Sequence, residues 1–178
     1  QTTGAADEAK AKYREAIALG EGSAAGRRAM MGLAIALEKE GDIEGAARQY
    51  EMILAMPSSP REQASVRARL LAISEQQGKL DEVIAAAEKS LQEKPDDEAA
   101  LQTLLAIYTR VRKNPEAALP LAQRFAEMKP NDFDALSQLA DLQGQTGQAD
   151  KAAETYQAAA VANPAREIYC MNRIVDVY

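Results

Sequence analysis

The segment 133–166 reads FDALSQLADLQGQTGQADKAAETYQAAAVANPAR. Leu136 and Leu139 fall at helical spacing in its first half, and its second half is a continuous alanine-rich run. Gly147 interrupts the pattern near the middle, and Pro164 interrupts it near the end. The stretch therefore predicts two helices joined by a short turn.

Glycines and prolines that interrupt helices recur at regular intervals along the whole chain. Prolines that close such stretches follow one another at intervals of 38, 35 and 34 residues: Pro57, Pro95, Pro130 and Pro164. Glycines lie near the middle of three stretches: Gly41, Gly78 and Gly147. A period near 34 residues with a turn in the middle is typical of a repeat of two helices. No segment alternates apolar and polar residues, so we expect an all-α fold without strands.

Helix starts are well marked in this sequence. Ser59 precedes Pro60, and Asn114 precedes another proline, so each of these polar residues can cap a helix whose first position is proline. Asp97 and Asp132 place carboxylates at two further starts, where the helix dipole favours negative charge. Pro120 would lie about one turn inside a helix, and we expect it to remove a backbone hydrogen bond and bend that helix.

On these residues the chain resembles the tetratricopeptide repeat (TPR) family, whose pattern combines apolar, small and aromatic positions with a closing proline. Residues 133–166 match it through Leu136, Leu139, Ala140, Ala152, Tyr156, Ala159 and Pro164. Residues 27–60 match through Met30, Leu33, Ala34, Leu37, Ala46 and Tyr50. Residues 98–132 match with one extra residue, which we place at the turn. Residues 64–97 match less well, because Arg67 and Ser74 stand at usually apolar positions.

The resemblance implies a right-handed α-solenoid of helix-turn-helix repeats that forms a single domain over residues 1–178. A half repeat at 6–26 would precede the four repeats, and a first helix at 168–178 would follow them. Because both end segments look like half repeats, we expect the chain to be part of a longer solenoid. We further expect weak head-to-tail self-association, in which Tyr13, Ala16 and Ile17 meet Met171, Ile174 and Val175.

Composition excludes several functional classes. The absence of histidine removes the commonest general base and metal ligand, and the single cysteine, Cys170, forms no intrachain disulfide or multi-cysteine metal site. A net charge of −6 argues against nucleic acid as a partner. No apolar run is long enough to span a membrane. We therefore predict a protein that is not an enzyme and has no metal or cofactor.

The resemblance also implies a binding surface, because the first helices of TPR repeats line a concave groove. Carried over residue by residue, the groove positions of this chain are Arg28, Met31, Ile35, Glu38, Lys39, Ser65, Ala68, Ala72, Glu75, Gln76, Ala99, Gln102, Ala106, Thr109, Arg110, Asp134, Ser137, Asp141, Gly144 and Gln145. They lack the set of lysine, asparagine and arginine with which chaperone-binding TPR domains hold a terminal carboxylate. The groove therefore predicts a partner other than a chaperone tail.

The sequence thus favours a scaffold that binds a partner peptide or helix in its groove. The alanine-rich style suggests a bacterial multiprotein assembly, with the protein soluble in the cytoplasm or the periplasm. Two alternatives stay open. The repeats could act only as a structural spacer or oligomerisation segment of a larger protein, or as the accessory domain of an enzyme whose catalytic part lies elsewhere.

Overall fold

The computed structural model describes residues 2–20 and 22–178, which form α-helices and no strand. The α-helices, in chain order, are α1 (Thr2–Leu19), α2 (Ala24–Glu40), α3 (Ile43–Leu54), α4 (Pro60–Gln76), α5 (Leu80–Glu93), α6 (Glu98–Ala106), α7 (Pro115–Met128), α8 (Phe133–Gln145), α9 (Ala149–Ala162) and α10 (Glu167–Val177). A π-helical segment, Ile107–Val111, continues α6, and a 3₁₀ turn, Pro164–Arg166, precedes α10. The predicted all-α fold is confirmed.

The helices begin where the sequence predicts. The Ser59 hydroxyl accepts a hydrogen bond from the backbone N–H of Glu62 at 3.2 Å, and the Asn114 side chain caps α7 in the same way. Asp97 and Asp132 cap α6 and α8 through their carboxylates. These bonds satisfy N–H groups that have no partner within the helix. Pro120 lies inside α7, where it cannot donate to a carbonyl of the preceding turn.

The chain divides into two compact units, Gln1–Leu80 and Asp81–Tyr178. In the first unit, α2, α3 and α4 enclose a core of Met30, Leu33, Ala34, Leu37, Ala46, Tyr50, Ile53, Val66 and Ile73. In the second unit, the largest core lies among α6, α7, α8, α9 and α10, and includes Leu105, Phe125, Leu136, Leu139, Tyr156 and Cys170. A smaller cluster holds α5 against α6 through Ala87, Ala100 and Leu104.

The core is wider than the family pattern predicts. The third and tenth residues of the first helices are also buried: Val66 and Ile73 in α4 pack with the side chains of α3, while Ala135 and Leu142 in α8 pack with those of α7. On α4, Arg67 and Ser74 are half-buried at the positions where the family pattern expects apolar residues, whereas Val66 and Ile73 on another face are buried. That repeat therefore keeps its contact with the preceding helix.

The extra residue of repeat 98–132 lies somewhat earlier than we expected. In the other three repeats a backbone N–H after the turn glycine donates to a carbonyl five residues back, as Gln148 does to Gln143 at 2.8 Å. In repeat 98–132 the N–H of Asn114 donates to Tyr108, six residues back, also at 2.8 Å. The insertion is absorbed in the π-helical segment that closes the first helix. Lys113 takes the left-handed conformation (φ 49°) that glycine adopts in the other turns.

Three of the end-helix residues that we expected to be free are partly buried against the cores of their own units. Tyr13 and Ile17 lie against the core of the first unit, and a Cβ at Gly32 would come within 2.5 Å of the Tyr13 ring. Ile174 likewise packs against the core of the second unit. The exposed apolar side chains of α10 and of the residue that follows it are Ile168, Tyr169, Met171, Val175 and Tyr178, and two of these, Met171 and Val175, belong to the expected face. The expected end faces are therefore partly covered at Tyr13, Ile17 and Ile174, whereas Ala16, Met171 and Val175 are exposed.

Candidate binding cavity on the last repeat

The predicted groove residues of the first unit lie on α2 and α4. Arg28, Lys39, Ala72, Glu75 and Gln76 are exposed, and Ile35 and Ala68 are half-buried. Met31 packs in part against the core of the unit. Glu38 is occupied within the chain, because it accepts a hydrogen bond from Arg69 at 3.0 Å. The surface of this set therefore includes small side chains on α4 and side chains of both charges on α2.

The predicted groove residues of the second unit lie on α6, on the π-helical segment and on α8. Gln102 donates to the Glu98 carboxylate at 3.0 Å, and the Thr109 hydroxyl donates to the Leu105 carbonyl at 2.6 Å. Ala106 is half-buried and Arg110 is exposed. Of the six that remain, Asp134, Ser137 and Asp141 line one cavity, whereas Ala99, Gly144 and Gln145 do not.

This cavity, of about 540 Å³, lies between α8 and the start of α10. It is lined by Phe133, Asp134, Ser137, Gln138, Asp141, Arg166 and Tyr169. Ser137 is buried (7% exposed), and its hydroxyl donates to the Phe133 carbonyl, so it offers no free donor. The other polar lining residues are Asp134, Gln138, Asp141 and Arg166, and Phe133 and Tyr169 supply aromatic surface.

Aromatic rings and charges meet at one side of the cavity. The Phe133 and Tyr169 rings lie 6.0 Å apart at an angle of 58°, within the range of favourable tilted ring pairs. The Arg166 guanidinium lies over the Phe133 ring, 4.5 Å from its centre, and its Nη1 is 3.4 Å from Asp134 Oδ1. Arg166 thus contacts an aromatic face and a carboxylate together.

At the other side, Asp141 is held by two groups of its own chain. It accepts hydrogen bonds from the Tyr156 hydroxyl and from the Arg173 guanidinium, and Arg173 Nε donates to the same hydroxyl at 3.1 Å. Burial, together with the hydrogen bond to Asp141, raises the pKa of Tyr156 above its ordinary value. The hydrogen bond to Asp141 raises the pKa of Arg173. Tyr156 therefore stays neutral and Arg173 stays charged at neutral pH, and the hydrogen bonds of the trio join α8, α9 and α10.

A related trio lies in the first unit. Tyr50 occupies the same repeat position as Tyr156, and Arg69 the same position as Arg173, with Glu38 as the carboxylate. Burial is the main cause that raises the pKa of Tyr50 to about 12, with the Glu38 carboxylate adding to it. Among the described residues, however, the buried Tyr50 hydroxyl has no hydrogen-bond partner. The two trios thus share their residue types but differ in their bonding.

Four lining residues were not among those predicted: Phe133, Gln138, Arg166 and Tyr169. Tyr169 has a signal in the sequence, because it is the second residue of the segment 168–178 and so occupies a groove position already used for Asp134. Arg166 has no such signal, since it precedes α10 and reaches the cavity only through the 3₁₀ turn. Its contact with Phe133 depends on how the 3₁₀ turn packs against α8, which the sequence pattern does not specify.

Cys170 is buried in the core, as expected for a packing residue, and burial raises the pKa of its thiol, which disfavours the reactive thiolate. Within residues 2–20 and 22–178, no three metal-ligating side chains are grouped so that they could hold an ion. No helix in this part of the chain is long and apolar enough to cross a membrane.

Comparison with known proteins agrees with the fold. The tetratricopeptide repeat family model matches residues 3–61 and 103–167, and the chain belongs to that family. A solved structure of MamA (AMB-1) is similar over 85% of this chain and 80% of its own, with 22% sequence identity and a TM-score of 0.54. A structure of YrrB, titled a TPR protein with an unusual peptide-binding site, covers 93% of this chain and 91% of its own at 18% identity and a TM-score of 0.49. No curated protein sequence matches the chain significantly. At these identities the similarity establishes the fold alone.

Proposed function

We propose that the protein is a scaffold for protein–protein interaction and that it binds a segment of its partner in the cavity between α8 and α10. The observation that carries the proposal is the placement of Asp134, Ser137 and Asp141. These three residues were predicted as groove positions from sequence, and together they line a cavity of about 540 Å³. A cavity of that size holds about one or two large side chains of a peptide.

The local structure also supports binding without movement of the helices. Asp132 caps α8 at its first turn, and the trio of Tyr156, Asp141 and Arg173 fixes α10 against α8 and α9. A wall that is already rigid loses little conformational entropy when a peptide binds. We infer that the cavity is formed before the partner arrives.

Peptide selection followed by mapping tests this proposal. Peptides selected from a random display library on the 178-residue chain should shift the backbone amide NMR signals of Phe133, Gln138 and Tyr169. Tyr169→Ala should weaken their binding, because it removes one wall of the cavity. Ile168→Ala is the matched control, since Ile168 is exposed next to Tyr169 but does not line the cavity. Equal losses in both variants, or shifts confined to other helices, would contradict the proposal.

A spacer or oligomerisation role is the second candidate, and the exposed apolar residues of α10 favour it. Met171 and Val175 are 59% and 75% exposed, although they lie on a helix whose other face is packed. Such a face suits contact with another helix rather than with an extended peptide. Under this hypothesis Tyr169→Ala would leave every partner contact unchanged, whereas charges on α10 would abolish the contact.

A further inference from the structure

Arg166 forms part of the cavity wall, and its contacts show what the cavity can recognise. Its guanidinium lies against the Phe133 ring and beside the Asp134 carboxylate, so an aromatic face and an acidic group already accommodate one cation. Arginine stacks on aromatic rings and pairs with carboxylates through the same planar group. A basic side chain of a partner could therefore make the same contacts with Phe133 and Asp134 that Arg166 makes within the chain.

We propose that the cavity between α8 and α10 binds an arginine or lysine side chain of the partner segment, and that Arg166 holds that place until the partner displaces it. This inference rests on the proposed function, which it makes specific by naming the chemistry of the partner. The partner side chain would lie over Phe133 and Tyr169 and pair with Asp134. Arg166 would turn outward into solvent.

The contacts of Arg166 are weak enough to be exchanged. Its side chain is 53% exposed and that of Asp134 is 81% exposed, and the shortest distance between them is 3.4 Å. An exposed and stretched ion pair contributes little to stability. Arg173, in contrast, donates to Asp141 and to Tyr156 in a half-buried position and would stay in place.

The charges of the site and of the chain favour a basic partner over an acidic one. Asp134 and Asp141 flank the cavity, Arg173 already neutralises Asp141, and the chain carries a net charge of −6. An acidic side chain placed next to Arg166 would lie beside Asp134 and enter against the overall field. A basic side chain is attracted by Asp134 and by the negative charge of the whole chain, and it therefore associates faster.

Substitution of Arg166 separates this inference from its alternative. The probe is the capped peptide Gly-Ser-Leu-Arg-Leu-Ser-Gly, with analogues that carry Gln or Glu in place of Arg, titrated against isotope-labelled protein and followed by NMR. Arg166→Ala removes the competing cation, and we expect it to bind the Arg peptide about twofold to fivefold more tightly, the range for an exposed ion pair of up to 1 kcal/mol. Asp134→Asn should weaken the same peptide by a similar factor.

Two matched variants control for charge and for fold. Arg48→Ala removes an exposed arginine of α3 in the first unit, and Asp96→Asn removes an exposed carboxylate ahead of α6. Neither residue lines the cavity, so both variants should bind the Arg peptide as the parent chain does. Thermal unfolding of all four variants identifies any loss that comes from folding.

The outcomes distinguish the inference from the proposed function. Preference for the Glu analogue, weakened by Arg166→Ala, would overturn the inference and leave a peptide-binding cavity. Equal binding of all three peptides, or no gain in Arg166→Ala, would also overturn it. If none of the peptides shifts the signals of Phe133, Gln138 or Tyr169 in the parent chain or in Arg166→Ala, both the inference and the proposed function fail at this site.

Discussion

At the scale of single residues, Tyr50 and Tyr156 have the same repeat position but different bonds. Tyr156→Phe removes a hydroxyl that bonds to both Asp141 and Arg173, and we expect it to lower the free energy of unfolding by about 1 kcal/mol. Tyr50→Phe removes a buried hydroxyl that has no hydrogen-bond partner among the described residues, so its effect should be near zero or stabilising. Urea unfolding of the two variants measures the difference, and equal losses would contradict it.

The sequence predicts which positions carry these tyrosines but not what their hydroxyl groups meet. The family pattern fixes the aromatic residue, because its ring fills a set place in the core. The carboxylate comes from different positions, twelfth in the repeat for Glu38 and ninth for Asp141. Which of them reaches a hydroxyl depends on side-chain rotamers and on the helix that follows. Glu38 and Asp141 were therefore predicted as groove residues, although their own chain occupies both.

Lys113 carries a second consequence at this scale. A residue with a Cβ in the left-handed region is strained by about 1–2 kcal/mol. Replacement by glycine removes this strain, but the greater freedom of glycine in the unfolded chain offsets part of the gain in stability. Lys113→Gly should therefore stabilise the protein by up to about 1 kcal/mol. Gly147→Ala, at φ 75° and with no atom near its Cβ position, should destabilise it by a similar amount. A lower urea midpoint for Lys113→Gly than for the parent chain would refute this account.

At the scale of helices, α5 and α9 are equal in length but unequal in burial. Each has 14 residues. In α9 the residues Ala152, Ala153, Tyr156 and Ala159 are buried, whereas in α5 only Leu80 and Ala87 are. Local opening is easier where fewer apolar side chains are covered. We expect the amides of α5 to exchange with solvent faster than those of α9, as hydrogen exchange read by mass spectrometry would show, and equal protection would rule this out.

Helix boundaries were largely predictable at this scale, while one irregularity was not. Ser59, Asn114, Asp97 and Asp132 mark helix starts because the capping hydrogen bond is local and depends on one side chain. The extra residue of repeat 98–132 could be counted from the spacing of prolines. Its absorption in the segment Ile107–Val111 depends on how that helix packs, so the count alone placed it at the turn.

At the scale of the whole molecule, the family was predictable because its signal is spread along the chain. Four near-repeats of about 34 residues each carry a turn and a closing proline, so a single departure such as Arg67 does not obscure the period. The candidate site was predictable in part. The groove rule found Asp134, Ser137 and Asp141, but the cation over Phe133 comes from Arg166, outside the positions that the rule covers.

The exposed apolar side chains of α10 lead to the last prediction, which concerns association between copies of the chain. Ile168, Met171, Val175 and Tyr178 are 59–78% exposed along one helix. Covering each could contribute roughly 1.5–3 kcal/mol, and the entropy of association offsets much of that. We therefore expect weak self-association, seen in sedimentation equilibrium as an apparent mass that rises toward concentrations on the order of 1 mM.

Substitutions on α10 decide whether that face is responsible. Met171→Glu combined with Val175→Glu should abolish the rise in apparent mass and leave the helical content unchanged, because both side chains face solvent. Ile174 is unsuitable for this test, since it packs against the core of its unit. Val161→Glu is the matched control, as Val161 is 82% exposed on α9. If the control abolishes association equally, or if the parent chain stays monomeric throughout, the α10 face does not join copies of this protein.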